Sequence, residues 1–176
     1  MCRWCTPTRV GLNQAKMSKV PFRVLGVDPG FDRLGLAVLE GDASRPTHIW
    51  SDCIQPPKGE ASMRLAYVYD SVMSALAEYQ PSLLAIETLF FSTNKKTAFS
   101  VAEARGAILA AAGKSGVRVL ECTPAQVKIA VTGYGSADKK AIEAMVPKLL
   151  VLPSKKRLDD EFDALAVAIA GLSTHG

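Results

Sequence analysis

Apolar and polar positions along this 176-residue chain alternate between a period of two and a period of about 3.6. Residues 23–28 (Arg-Val-Leu-Gly-Val-Asp) and 31–39 are rich in β-formers. They flank Pro29-Gly30, which fixes one backbone angle and frees the next, so a strand, a tight turn and a second strand are expected. Residues 48–54 alternate weakly and stop at Pro56-Pro57, which predicts a third, edge strand completing a meander. Between 60 and 79 the apolar positions Leu65, Val68, Tyr69, Val72 and Leu76 recur at helical spacing, and Pro81 closes the segment. The short apolar run 83–87 suits a buried strand, returned by that helical crossover parallel to the first. Residues 94–112 read as a helix of small side chains, fit to pack on the sheet and equally on a partner subunit, and 117–121 as a fifth strand. Thr123-Pro124-Ala125-Gln126 has an N-cap, a proline at the first helical position and a glutamine placed for a capping box. Gly133-Tyr134-Gly135-Ser136 breaks that helix. Ser136 is expected to cap the next one, starting at Ala137, and Pro147 to kink or end it early. Asp159-Asp160-Glu161 opens the last helix, with the apolar stripe Phe162, Leu165, Ala166, Ile169 and Leu172.

Length and pattern together predict one α/β domain over residues 21–176. Residues 1–20 show no periodicity and carry Arg3, Arg9, Lys16 and Lys19 without an acid, so they read as a disordered basic leader, with Met17 as a second candidate start. Apolar runs fall short of the roughly 18 residues a membrane-spanning helix needs. Four cysteines and no apolar signal-peptide core predict free thiols and a cytoplasmic location. Cys2 and Cys5 have zinc-ligand spacing but no second pair to complete it.

Charge changes the picture by its distribution. The formal net charge of +4 comes from the leader, and beyond it 17 basic residues meet 17 acidic ones. Residues 90–157 hold 12 basic and 4 acidic side chains, whereas 21–89 hold 5 and 9. A polyanion-facing side next to an acidic site is the functional reading, and a solvated lysine-rich surface the plain one. The glycine loop 133–136 leads into Lys139 and Lys140. Lysines in a first helical turn oppose the helix dipole, so an anion such as phosphate is expected to compensate them.

Asp28 ends the first strand, and from this stretch alone it reads equally as a turn cap. Alternation puts Gly26 beside it on one face, leaving room for a ligand. Glu87 ends the neighbouring parallel strand. Asp163 lies three residues after Asp160, next to the apolar stripe, so the pair can aim together at the sheet. Carboxylates converging without a basic partner repel one another, and a folded chain keeps them when cations sit between them. Oxygen donors with no His or Cys at ligand spacing point to Mg²⁺, with Mn²⁺ able to substitute. Two ions about 4 Å apart would serve an in-line phosphoryl displacement.

The order β-β-β-α-β-α-β-α, with acids on the first strand, the fourth strand and the last helix, resembles the ribonuclease H-like fold. That fold implies a five-stranded mixed sheet, three antiparallel strands plus two parallel ones, flanked by helices. The motifs Gly26-Val27-Asp28-Pro29-Gly30, Ala85-Ile86-Glu87-Thr88-Leu89-Phe90, Glu103-Ala104-Arg105-Gly106, Gln126-Val127-Lys128, Gly135-Ser136-Ala137-Asp138-Lys139 and residues 160–166 resemble those of the RuvC-type Holliday junction resolvases. The resemblance implies that Asp28, Glu87, Asp160 and Asp163 are catalytic metal ligands. It also implies that Phe90 contacts unstacked bases and that Lys128 and Lys139 bind phosphate. Lys95, Lys96, Arg105 and Lys140 extend the expected DNA-binding set. It implies a homodimer that nicks two opposing strands of a four-way junction symmetrically, leaving 5′-phosphate and 3′-hydroxyl ends, and association with the RuvA and RuvB branch-migration proteins. Phe90 otherwise reads as a strand-end anchor, with Phe91 beside it. The extra acids Asp159 and Glu161 leave open which of the last cluster touches metal. Rival readings are a branched-DNA module that does not cut, a resolvase-like RNA-processing nuclease, and an actin-like sugar kinase, which requires a second domain.

Overall fold

The structure is a computed structural model describing residues 21–88 and 95–174. The leader, residues 89–94 with Phe90 and Phe91, and the last two residues lie outside the described residues. Five strands, β1 (Arg23–Asp28), β2 (Leu34–Glu40), β3 (Thr47–Ile54), β4 (Leu83–Glu87) and β5 (Arg118–Cys122), form one sheet in the order β3-β2-β1-β4-β5. The β1–β2 and β2–β3 pairs are antiparallel and the β1–β4 and β4–β5 pairs parallel, which is the mixed sheet expected from the sequence.

Strand alternation divides the core in two. Leu25, Val27, Leu36, Val38, Leu84 and Ile86 point to the face covered by α1 (Ala61–Tyr79) and α2 (Lys95–Ser115). Val24, Ala37, Leu39, Leu83 and Ala85 point to the opposite face and pack on α5 (Asp159–Ser173), with α3 (Pro124–Thr132) and α4 (Lys139–Leu149) outside it. Each fully buried Leu or Ile in these layers contributes roughly 1.5–3 kcal/mol. Helix α5 is buried all round from Ala164 to Leu172, as fits a helix between a sheet and two further helices. Among the described residues no helix is long and apolar enough to cross a membrane.

Helix ends follow local chemistry. Thr123 and Gln126 close a full capping box on α3, which ends at Gly133 in the left-handed region. Helix α4 is capped by Asp138, whose carboxylate accepts from the Ala141 amide, and starts two residues later than the sequence suggested; Ser136 does not cap it. Pro147 stays inside α4, which runs two residues beyond it to Leu149.

Gly26 overturns one expectation. The room beside Asp28 is filled by α5, because a Cβ on Gly26 would overlap the Ala164 carbonyl oxygen and lie 2.5 Å from the Ala168 amide nitrogen. On Gly35 it would overlap the Asp160 carbonyl oxygen, and on Gly171 it would lie 2.6 Å from Val24 Cγ1. Helix α5 therefore approaches β1 and β2 backbone to backbone. Gly26→Ala is expected to push α5 off the sheet and destabilise the protein by about 1–3 kcal/mol or more in urea unfolding. Gly106→Ala, with nothing within 4 Å of its Cβ on α2, is expected to stabilise by roughly 0.5–1 kcal/mol. Equal losses at both positions would refute the close-approach account.

Candidate active site

Register sets the site. Val27 of β1 pairs with Ile86 of β4, so Asp28 and Glu87, one residue further on, end adjacent parallel strands. Across the antiparallel side Asp28 pairs with Gly35, and Gly35 with Cys53 of β3. The bare α-carbon of Gly35 receives the Asp160 backbone, which lays the first turns of α5 over the strand ends. Asp28 is thereby brought within electrostatic reach of Glu87, Asp160 and Asp163.

Their ionisation records that proximity. Burial, reinforced by Asp163, Asp160 and Glu87, pushes Asp28 up to about 7 from an ordinary 3.8, against a lowering influence of Lys139. Glu87 is raised by burial and by Asp163, with Lys128 pulling the other way. Asp163 is raised as burial outweighs its hydrogen bond from Lys139. These are the signatures of like charges sharing a partly dry space.

The expectation of a site without basic partners is not met. Arg33, in the β1–β2 turn, reaches Asp159 at 3.3 Å and Asp160 at 3.2 Å. Lys139 Nζ lies 3.1 Å from Asp163 Oδ2 and 3.3 Å from Asp159 Oδ2. The anion that compensates a lysine at the start of α4 thus comes from the chain's own last helix. Among the described residues, no three acidic, His or Cys side chains are gathered to enclose a metal ion in this conformation. The donor chemistry nonetheless fits a hard divalent cation: Asp28, Glu87, Asp160 and Asp163 offer carboxylate oxygens, and the Cys53 thiol, 3.9 Å from Asp160 Oδ2, is pushed up to about 11 by burial and by Asp160.

The other predicted residues separate by environment. Lys128 borders a small cavity of about 70 Å³ with Glu87 and Asp163, and Lys140 is exposed at the start of α4. Lys95 and Lys96 head α2, but their side chains lie outside the described set. Arg105 corrects the expectation placed on it. It is only 7% exposed, donates to the Glu87 carbonyl oxygen at 2.8 Å and pairs with Glu121 at 2.6 Å, so it ties the ends of β4 and β5 instead of facing a phosphate. Of the extra acids, Asp159 turns to Arg33 and Lys139, whereas Glu161 is buried on the other side, accepting from Ser51 Oγ at 2.6 Å and pairing with Lys155 and Arg157 at 3.0 Å. Sequence reasoning missed Arg33 and this Glu161 anchor. The (i, i+4) spacing of Arg157 and Glu161 was the available signal for the second; none marked the first.

Because folded Asp28 keeps its proton to about pH 7 while an unfolded aspartate loses it near 3.8, the folded state binds more protons between those values. Metal-free stability therefore falls as pH rises through that window. Asp28→Asn is expected to exceed wild type by about 2–4 kcal/mol at pH 8 with a chelator present, the gain vanishing by about pH 4. Urea unfolding across pH checks this, and a gain independent of pH would remove ionisation as its cause.

Comparisons with known proteins bear on these features. The family model described as crossover junction endodeoxyribonuclease RuvC matches residues 24–171. The chain is 42% identical to the crossover junction endodeoxyribonuclease RuvC of Syntrophomonas wolfei over 154 residues, covering 87% of this chain and 90% of that one. It is 44% identical to the Moorella thermoacetica protein of the same name, over 85% of this chain and 90% of the relative. Among solved structures, T. thermophilus RuvC in complex with Holliday junction substrate superposes with a TM-score of 0.79 at 33% identity, over 85% of this chain and 92% of that one. The yeast mitochondrial Holliday junction resolvase Ydc2, at 10% identity and a TM-score of 0.62, shares the fold. With its ribonuclease H-like sheet, its strand-end acids and these relatives, the chain belongs to the RuvC family of crossover junction endodeoxyribonucleases.

Proposed function

We propose that this protein resolves four-way DNA junctions by metal-dependent phosphodiester hydrolysis, with Asp28, Glu87, Asp160 and Asp163 as metal ligands. Lys128, Lys139 and Lys140 are assigned to backbone phosphates. The observation that carries the reading is Asp28, a buried carboxyl raised to about 7 among three other acids. Such a cluster costs the metal-free fold stability, and a cation that binds only the folded state offsets that cost. Support for the substrate comes from the relatives' name and from the junction substrate bound by T. thermophilus RuvC.

Mg²⁺, replaceable by Mn²⁺ and with two ions per site, suits the oxygen donors. Bound there, such ions supply a water of lowered pKa and counter-charge for the leaving oxygen. The chain supplies the frame. Asp28 and Glu87 sit at the ends of paired strands, and Glu161, clamped to Ser51 and Arg157, fixes the turn of α5 that carries Asp160 and Asp163. Lys128, which lines a small cavity with Glu87 and Asp163, would meet a phosphate entering from the α3 side. Symmetric incision of two opposing strands, leaving 5′-phosphate and 3′-hydroxyl ends, calls for a homodimer with one site per strand. Phe90 would then stack on unpaired bases, and RuvA and RuvB would be the partners by family membership.

The test is a synthetic four-way junction. Wild type is expected to cut it in Mg²⁺ and to stop with a chelator, while Asp28→Asn keeps junction binding and loses incision by about 10²-fold or more. Undiminished cutting by the variant would sink the metal role, and cleavage of precursor RNA in place of junction DNA would redirect the reading to the RNA-processing rival. Lys128→Ala is expected to weaken junction binding and to lower the slope of log affinity against log salt by about 1. An unaltered slope removes Lys128 from the phosphate set.

A further inference from the structure

Arg33 belongs to none of the acidic motifs, yet it is the cation that holds Asp160. From the β1–β2 turn its Nε lies 3.2 Å from Asp160 Oδ2 and its Nη1 3.3 Å from Asp159 Oδ1. We propose that Arg33 is an internal counter-ion that competes with the divalent cation for Asp160, so that metal loading and departure of Arg33 are one exchange. The proposal rests on the metal reading above.

Three observations support it. Asp160 is mostly buried, at 17% exposure, and its Oδ2 faces both Arg33 and the Cys53 thiol, so one of its two carboxylate oxygens is already engaged. The hold is loose, because both distances exceed the roughly 2.7–2.9 Å of a tight charge-assisted hydrogen bond, and Arg33 is 45% exposed. The guanidinium also has somewhere to go. Arg33 and Asp160 both line an open cleft of about 470 Å³ that extends from the β1–β2 turn to Ser100 and Val101 of α2, so the guanidinium can swing into open space without disturbing the core. Glu161 on the same helical turn shows the contrast. Its carboxylate is 3% exposed and clamped at 2.6–3.0 Å by Ser51, Lys155 and Arg157, which leaves it no freedom to trade partners. The start of α5 thus pairs one locked acid with one whose partner is exchangeable.

The measurement is Mn²⁺ binding to the full-length, DNA-free protein, followed by the electron paramagnetic resonance signal of free Mn²⁺. Arg33→Ala is expected to bind Mn²⁺ about fivefold more tightly than wild type, the size of one partly exposed ion pair. Arg33→Lys should fall between the two. Lys156→Ala, which removes one exposed charge from the loop before α5, should leave binding as in wild type, and in an Asp160→Asn background the Arg33→Ala gain should disappear. Wild-type binding that Arg33→Ala leaves unchanged or weakens overturns the exchange while sparing the metal reading, as does an equal gain from Lys156→Ala. Absence of Mn²⁺ binding in wild type and Arg33→Ala alike overturns both.

Discussion

Helix α5 meets β1 and β2 backbone to backbone at Gly26 and Gly35, and the geometry of the acidic site follows from that contact. Gly26 and Gly35 present bare α-carbons to the helix, and Ala164 and Ala168 are the small residues that meet them. A helix kept at ordinary side-chain distance would hold Asp160 and Asp163 away from the strand ends. Close packing of this kind tolerates little added volume, which is why the contact fixes position so tightly. The wholly buried stretch from Ala164 to Leu172 adds the apolar burial that keeps the helix in place.

That packing forces like charges together, and the chain manages the repulsion in two ways. Asp28, deep at the end of β1, keeps its proton to about pH 7. Asp160 and Asp163, nearer solvent, take Arg33 and Lys139. Both responses lower the negative charge of the cluster, and both can be reversed by a bound cation. Under the metal role proposed for these acids, such a site is costly without a cation and correspondingly responsive to one.

Around the acids, charges are spent on framework. Arg105 joins the Glu87 carbonyl to Glu121, fixing the end of β4 from behind, and Arg157 and Lys155 hold Glu161 against β3. Hydrogen-bonded and partly buried, these pairs act as positional anchors; exposed pairs contribute little. The basic excess in residues 90–157 is therefore divided between structure and surface, and only part of it is free to meet a polyanion.

Period and punctuation in the sequence were enough for the strands, the helices and their order, because alternation, Pro29-Gly30 and the Thr123–Gln126 capping box act over a few residues. The acids were legible for the same reason: a carboxylate at the end of an apolar strand contradicts its surroundings and stands out. What the sequence could not supply was the partner of each charge. Arg33 meets Asp159 and Asp160 across more than a hundred residues, Lys139 pairs with Asp163 and Asp159 of the last helix, and Arg105 went from the surface to the interior. The room beside Gly26 belonged to α5 and not to a ligand. Local pattern is written in short-range sterics, whereas the pairing of charges and the filling of space depend on where a helix lands, and that is decided only when the sheet and α5 close on each other.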